Sequence, residues 1–451
     1  MKIKAVILAA GQGTRMKSEK PKVLHEILGE PMVTYPINAA KSVGVSDVCL
    51  IVGHKADEVK KVVGDGVCYC LQKEQLGTGH AVIQALDFIG DEGEVFVLCG
   101  DTPLISKQSL EKLQQIHRTN GEAVTILSSI VDNPTGYGRI VRDEYGQFSA
   151  IVEQKDATQE QQAIQEINGG IYLFEASDLK YSLGKLTNNN AQNEYYLTDT
   201  IEILRNEGKK IGAVDVDEKD ILGVNSRTQL AEATHIKKER INNFHMENGV
   251  TIIDPASTYI GPLVQIENDV IIEPNCFIDG KTIIKTGCII GANSKLKNSS
   301  ILTGAEVLNS VILDSEVGER THVGPFAYLR PNSKVGNDVK VGDFVEIKNS
   351  NIGDNTKISH LTYIGDADVG ENVNFGCGTV VVNYDGKNKH RTTIKDNAFI
   401  GCNTNLVSPV TVEKNAYTGA GSTITKDVPQ DSLGIARATQ RNIEQWVTKR
   451  D

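Results

Sequence analysis

The chain is poor in most of the residues that announce a fold. Tryptophan occurs once in 451 residues, aromatics make up 5%, and the eight cysteines are scattered without a CxxC pair. That spacing excludes a zinc ribbon and a disulfide framework and suits a reduced, cytoplasmic setting. There is no run of 18 apolar residues, and Ala5 to Ala10 is short and is not preceded by a proper signal-peptide n-region. Neither membrane insertion nor secretion is expected. Net positive charge is missing too. The balance of −11 leaves no footprint for nucleic acid, so an anionic substrate would need local cations. Walker A and G-x-G-x-x-G spacings are also absent.

What the chain does have is a period of six. Ile260, Ile266, Ile272, Ile278, Ile284, Ile290 and Leu296 form one unbroken run, and Val317, Val323, Leu329, Val335, Val341 and Ile347 a second. Shorter runs are Ile352, Ile358 and Ile364, then Ile400, Leu406 and Val412. No α-helix has this period, and a lone strand alternates every two residues. A hexapeptide repeat predicts a parallel β-helix, each short strand pointing one aliphatic side chain into a prism before the chain turns a corner. Small or polar residues such as Gly336-Asn337-Asp338 supply the corners. With strands ~4.8 Å apart, about ten coils make a column roughly 45–50 Å long.

The remainder divides simply. Residues 1–226 read as a Rossmann-like α/β domain, with buried strands at Ala5–Ala10, Val48–Val52 and Val95–Leu98 and helices near Pro31–Val43 and Ser106–His117. Such a doubly wound sheet binds its ligand beyond the carboxyl ends of the strands. Residues 227–247 read as one linking helix ended by Asn248-Gly249, and residues 248–451 as the β-helix with a tail, where Trp446 sits on an expected short helix.

Chemistry gathers at a few places. Leu8-Ala9-Ala10-Gly11-Gln12-Gly13-Thr14-Arg15 ends the first strand in a glycine turn followed by a cation, and Lys22 adds a second. Such a turn can hold phosphate through backbone N–H groups, although a plain βα turn looks the same. A second glycine-bearing stretch, Gln72 to Ala81, opens a helix. Asp101 follows a buried strand, where a carboxylate suits either Mg²⁺ or a helix N-cap. On the column, Lys348 lies 18 residues after Arg330, one coil, so the two cations stack as a phosphate clamp. His360 falls on an adjoining face at similar height, and the period breaks at a polar loop, Asn383 to Thr392. A lone histidine is usually a hydrogen-bonded surface residue.

Taken together, these motifs resemble the sugar-nucleotide pyrophosphorylases. With the β-helix added, the whole chain resembles the family of bacterial bifunctional enzymes that are both N-acetylglucosamine-1-phosphate uridyltransferase and glucosamine-1-phosphate N-acetyltransferase. The resemblance implies a left-handed β-helix and a homotrimer. It implies a uridine nucleotide site at Leu8, Ala9, Ala10, Gly11, Arg15, Lys22, Gln72, Gly77, Thr78, Gly100 and Asp101, with sugar phosphate contacts at Gly138, Glu153, Asn168 and Asn225. Asp101 and Asn225 would hold Mg²⁺. On the column it implies glucosamine 1-phosphate binding by Arg330, Lys348, Tyr363 and Asn374, with His360 as general base. Acetyl-CoA, the co-substrate, would meet Cys377, Asn383, Tyr384, Cys402, Ala420 and Arg437. Two of these depart from the family pattern: cysteine stands at 402 where serine is usual, and at 377 where alanine is usual. A thiol is a weak donor, so the hydrogen bond expected at 402 is in question.

The implied function is synthesis of UDP-N-acetylglucosamine, a precursor of peptidoglycan and lipopolysaccharide, from UTP, glucosamine 1-phosphate and acetyl-CoA by way of N-acetylglucosamine 1-phosphate. A pyrophosphorylase with a merely regulatory column would not need Arg330, Lys348 and His360, and a non-catalytic assembly subunit would not need Asp101 and Lys22. A fragment ending near Asn225 is expected to keep the uridyltransferase activity if the sheet domain folds alone.

Overall fold

A computed structural model describes residues 2–450; Met1 and Asp451, the outer ends of the two expected domains, lie outside the described residues. The chain forms two compact units that meet between Lys237 and Lys238, inside a single helix, Arg227–Glu247.

The first unit is a sheet with strand order Ile211–Asp215, Val124–Ile130, Glu166–Glu175, Glu94–Cys99, Ile3–Ala9, Asp47–Val52, Cys68–Leu71. Glu166–Glu175 runs antiparallel to both neighbours, and the other neighbouring pairs in this order are parallel. The central strands are apolar on both faces because helices cover both. Leu50, Phe96 and Leu98 pack on one side, and Val6, Ile51 and Val97 on the other. The helices expected near Pro31 and Ser106 are Thr34–Ser42 and Lys107–Asn120. Ser106 caps the second, its side chain accepting from the Ser109 amide, so Asp101 is not a cap. The start of the long helix belongs to this unit: Ala233 and Ile236 pack against Ile27, Met32, Leu104 and Val224.

The second unit is a column of three parallel sheets with 11, 10 and 9 strands. Each strand pairs with the one a coil later, as Ile260 with Ile278 and Ile278 with Leu296. Every aliphatic residue of the four runs is buried except Ile266, which is partly exposed. Between runs the chain drops one residue from a side: Ile284 stacks on Ile301 and Val335 on Ile352, 17 residues apart. Corner geometry explains the polar residues. Asn275, Asn293, Asn298, Asp314, Asn332 and Asp338 adopt positive φ, which their short side chains tolerate. Buried hydroxyls satisfy corner carbonyls, as Thr321 Oγ1 does by donating to Gly336 O at 2.7 Å. Trp446 lies in turns rather than the expected helix, half exposed and with Arg450 over its ring. A short segment with no apolar face to bury gains too little to hold a helix. Among the described residues no helix is long and apolar enough to cross a membrane.

Candidate functional sites

The first site is built at the carboxyl ends of the central strands. A cavity of about 340 Å³ is lined by Leu8, Ala9, Ala10, Gly11, Lys22, Gln72, Gly77, Thr78 and Asp101. These come from four separate stretches brought together because Ile3–Ala9 lies between Glu94–Cys99 and Asp47–Val52 in the sheet. Gly11 faces open space, and Gly77 has φ +110° with the Tyr195 carbonyl where a Cβ would stand. A side chain at 77 is therefore excluded both by conformation and by contact. Gly100 lies beside the lining, its amide donating to Leu8 O at 2.9 Å. Arg15 sits on an exposed 3-10 turn, Thr14–Met16, outside the lining.

The floor of this cavity carries its charge. The Lys22 ammonium donates to the Asp101 carboxylate and, at 3.0 Å, to Asn225 Oδ1. Lys22 and Asp101 side chains are only 13% and 20% exposed. Two oxygen donors thus converge on one cation in a half-buried place, the donor set a hard divalent ion prefers. The Asp101 carbonyl also accepts from the Val224 amide at 2.8 Å, which fixes the Asn225 segment against the strand end.

Next to it, Gly138, Glu153 and Asn168 come together: a Cβ on Gly138 would lie 3.6 Å from both Asn168 Cβ and Glu153 Oε2. Burial pushes the Glu153 carboxyl up, partly offset by Thr198, whose hydroxyl donates at 3.1 Å. Asn168 donates to the Tyr172 hydroxyl at 2.7 Å. Gln75, Cys99 and Glu194, to which no motif assigns a role, also line the cavity. Gln75 is held by donating to Ala10 O at 2.8 Å, and burial pushes the Cys99 thiol up to about 12. Glu194 arrives on a loop whose Leu197 amide donates to Thr78 Oγ1 at 3.0 Å.

One further cluster can be weighed as a metal site. Glu94 and Glu175, at the other ends of their strands, converge within 4.8 Å with His117 of the helix Lys107–Asn120. Both Glu94 oxygens are taken by Arg118 at 2.7 Å, and His117 Nδ1 meets Thr125 Oγ1 at 2.8 Å. The cluster reads as a structural charge network, away from the cavity.

The second site lies on the open faces of the column. Leu329 pairs with Ile347, so Arg330 and Lys348 follow one above the other. Arg330 donates to Glu346 at 2.8 Å. The Lys389 ammonium beside Lys348, together with partial burial, holds Lys348 below the usual lysine range. Cations gathered this closely suit an anion between them. Lys389 comes from the ejected loop, and nothing in the repeat marks its position. Tyr363 pairs with Glu346, and its hydroxyl accepts from Asn383 Nδ2 at 3.4 Å. Asn383 also donates to Asp366, which anchors the loop at its root and leaves Tyr384 exposed. His360 ends a strand on the adjoining sheet, three residues before Tyr363, with Asn374 on the next strand of that sheet. Its Nδ1 meets Asp343 Oδ1 at 2.7 Å.

Higher up, one corner repeats. Phe375 pairs with Ile400 and Ile400 with Thr418, which puts Cys377, Cys402 and Ala420 at matching positions of successive coils. The Asn403 amide donates to Cys377 O and the Gly421 amide to Cys402 O, at 2.7 and 2.8 Å. Arg437 passes 3.9 Å from where a Cβ on Gly421 would be. Cys402 is exposed and Cys377 partly so.

Comparison with known proteins agrees with this division. A family model described as "Nucleotidyl transferase" matches residues 4–233, and one described as "Bacterial transferase hexapeptide (six repeats)" matches residues 314–349 and 391–426. The chain is 54% identical to the "Bifunctional protein GlmU" of Clostridioides difficile (strain 630), covering 100% of this chain and 98% of that protein. It is 56% identical to proteins of the same name from Clostridium novyi (strain NT), covering 99% and 98%, and Acetivibrio thermocellus, covering 99% and 97%.

Proposed function

The chain belongs to the family of bifunctional GlmU proteins, and from that premise we propose how its residues divide the two reactions. The enzyme N-acetylates glucosamine 1-phosphate from acetyl-CoA and transfers uridylyl from UTP to N-acetylglucosamine 1-phosphate. In the first unit the cavity takes UTP, with its phosphates toward Gly11 and Lys22 and the sugar phosphate beside Gly138, Glu153 and Asn168. An oxygen of the sugar phosphate attacks the α-phosphorus in line, and pyrophosphate leaves. The protein positions the reactants and neutralises charge through Lys22 and backbone N–H groups, and it supplies no nucleophile. A divalent cation such as Mg²⁺, held by Asp101 and Asn225, would add further neutralisation of phosphate charge. Arg15, exposed on its turn, would reach the phosphates only by moving inward.

On the column, Arg330, Lys348 and Lys389 hold the sugar phosphate, with Tyr363 and Asn374 alongside. The substrate amine attacks the acetyl-CoA carbonyl, its proton passes to His360, and CoA leaves as the thiol. Cys377, Cys402, Ala420 and Arg437, with Asn383 and Tyr384, form the acetyl-CoA side. A homotrimer in the cytoplasm completes the reading. Its support is a ladder of bulky residues, Phe326, Phe344 and Leu361, each more than half exposed and each at positive φ. That conformation is unfavourable for large side chains, and exposed apolar ladders suit a face covered by a second copy.

The observation that carries the proposal is the Lys22 ammonium held between Asp101 and Asn225 on the cavity floor. The test assays both reactions on two variants of the full chain. Asp101→Ala should abolish uridylyl transfer and spare acetylation. His360→Ala should slow acetylation ~10²–10⁴-fold and spare uridylyl transfer. Loss of both activities in either folded variant would overturn the division of residues.

A further inference from the structure

His360 is the end residue of its strand, and the residue opposite it on the neighbouring coil is Asp343. The two are register partners of Lys357–His360 and Lys340–Asp343, so the backbone ladder itself sets them face to face. The strands are closely apposed there: a Cβ on Gly342 would stand 2.0 Å from Ser359 O. The Leu361 amide donates to Asp343 O at 3.0 Å and closes the rung beyond the pair. Within that frame, Asp343 Oδ1 lies 2.7 Å from His360 Nδ1.

We propose that Asp343 is the positioning residue of the acetyl-transfer site, fixing the ring and tautomer of His360 for proton abstraction. The proposal rests on the reading of His360 as general base. An ionised carboxylate only accepts, so Nδ1 must carry the hydrogen. In the neutral ring the lone pair is then on Nε2, the ring nitrogen that Asp343 does not engage. When Nε2 takes the proton of the attacking amine, the imidazolium forms against a carboxylate rather than against water. Asp343 is held below the usual carboxylate range, chiefly by its hydrogen bond to His360. The other charged groups on the two strands are Lys340 and Lys357, and Asn374–Phe375, on His360's other side, carries no titratable group.

Magnitude decides what the pair is for. The side chains are 56% and 39% exposed, and an ion pair so open to solvent contributes little to folding. Orientation and tautomer, by contrast, act fully at the moment of proton transfer. Carboxylates also pair with His322 and His390 on this column, so the test must read chemistry rather than stability.

The experiment compares full-length wild type, Asp343→Ala, Asp343→Asn and His360→Ala, measuring acetyl-transfer kcat and KM across pH. Asp343→Ala should lower kcat roughly 10–10²-fold, less than loss of the base itself, with KM for both substrates nearly unchanged. Asp343→Asn keeps an accepting oxygen without the charge. It should recover most of kcat at high pH, with the acid limb of the profile moved to lower pH because the imidazolium has lost its counter-charge. Wild-type kcat and pH profile in both variants, or a loss confined to KM, would overturn the role of Asp343. If His360→Ala still acetylates at wild-type rate, the reading of His360 as base fails first, and this proposal fails with it.

Discussion

The two halves of this molecule place the residues proposed to act in opposite ways. In the sheet unit, Lys22 and Asp101 are 13% and 20% exposed on the floor of a cavity that one chain builds alone. On the column, Arg330 and His360 are 39% and 56% exposed on open faces beside apolar side chains in an unfavourable conformation. A doubly wound sheet makes a crevice wherever its strands end, whereas a prism has flat sides and a filled interior. An active site on a prism must borrow walls from an ejected loop or from another copy. The difference follows from architecture and not from the chemistry performed.

Four experiments would break or sharpen that contrast. The largest effect is expected from cutting the chain. A fragment ending at Lys237 keeps Ala233 and Ile236 in the core and should retain uridylyl transfer. The fragment expected from sequence, ending near Asn225, loses them and exposes Ile27, Met32 and Leu104. It should be less stable by about 3–5 kcal/mol in a denaturant titration. Equal midpoints for the two fragments would show that the helix start is dispensable. Next, Ile347→Ala opens a void between Leu329 and Ile364 and should cost the column about 2–4 kcal/mol. Acetyl transfer should then fail at a lower temperature while uridylyl transfer is unaffected; a parallel loss would mean that the units are not independent.

A smaller effect is expected at the exposed corner. Alkylating Cys402 with a bulky reagent should slow acetyl transfer ~10-fold, about 1.4 kcal/mol, with protection by CoA. A Cys402→Ser enzyme that remains equally sensitive would shift the assignment to Cys377. The smallest effect concerns the sheet unit. Burial, then Glu202, raises the Asp199 carboxyl to about 6. Its folded value exceeds its unfolded one, so its contribution is complete below about pH 4 and is lost as pH rises through 6. Asp199→Asn should therefore stabilise the unit at pH 7, by on the order of 1 kcal/mol after allowing for the helix N-terminus where it sits. The gain should vanish at pH 4, and a gain that persisted there would point to packing instead.

Legibility differed between the halves for a physical reason. Along the column, Ile260 to Leu296 could be named as interior residues because each strand is two or three residues long and its neighbour is one coil away. Two of the breaks in the period prove to be 17-residue coils that keep the prism, whereas the ejected loop lengthens the coil from Val369 to Ile394 to 25 residues. The stacking of Arg330 on Lys348 follows from the same arithmetic. Lys389 and Asp343 are not legible in the repeat, one because an ejected loop has no period and the other because a corner aspartate resembles every other corner residue. In the sheet unit, the glycine turns and Asp101 stood out, but Gln75 and Glu194 did not. Nothing local distinguishes a polar loop residue that faces a cavity from one that faces solvent.

The sequence by itself determined the coil: a side chain every sixth residue decides which atoms are inside, and the parallel ladder follows from the repeat. Only the tertiary structure decided the cation on the cavity floor. Lys22 meets Asp101 and Asn225 across 79 and 203 residues of chain. A contact of that range is set by which strands lie side by side and how their ends are tied, and no local pattern of residues records it.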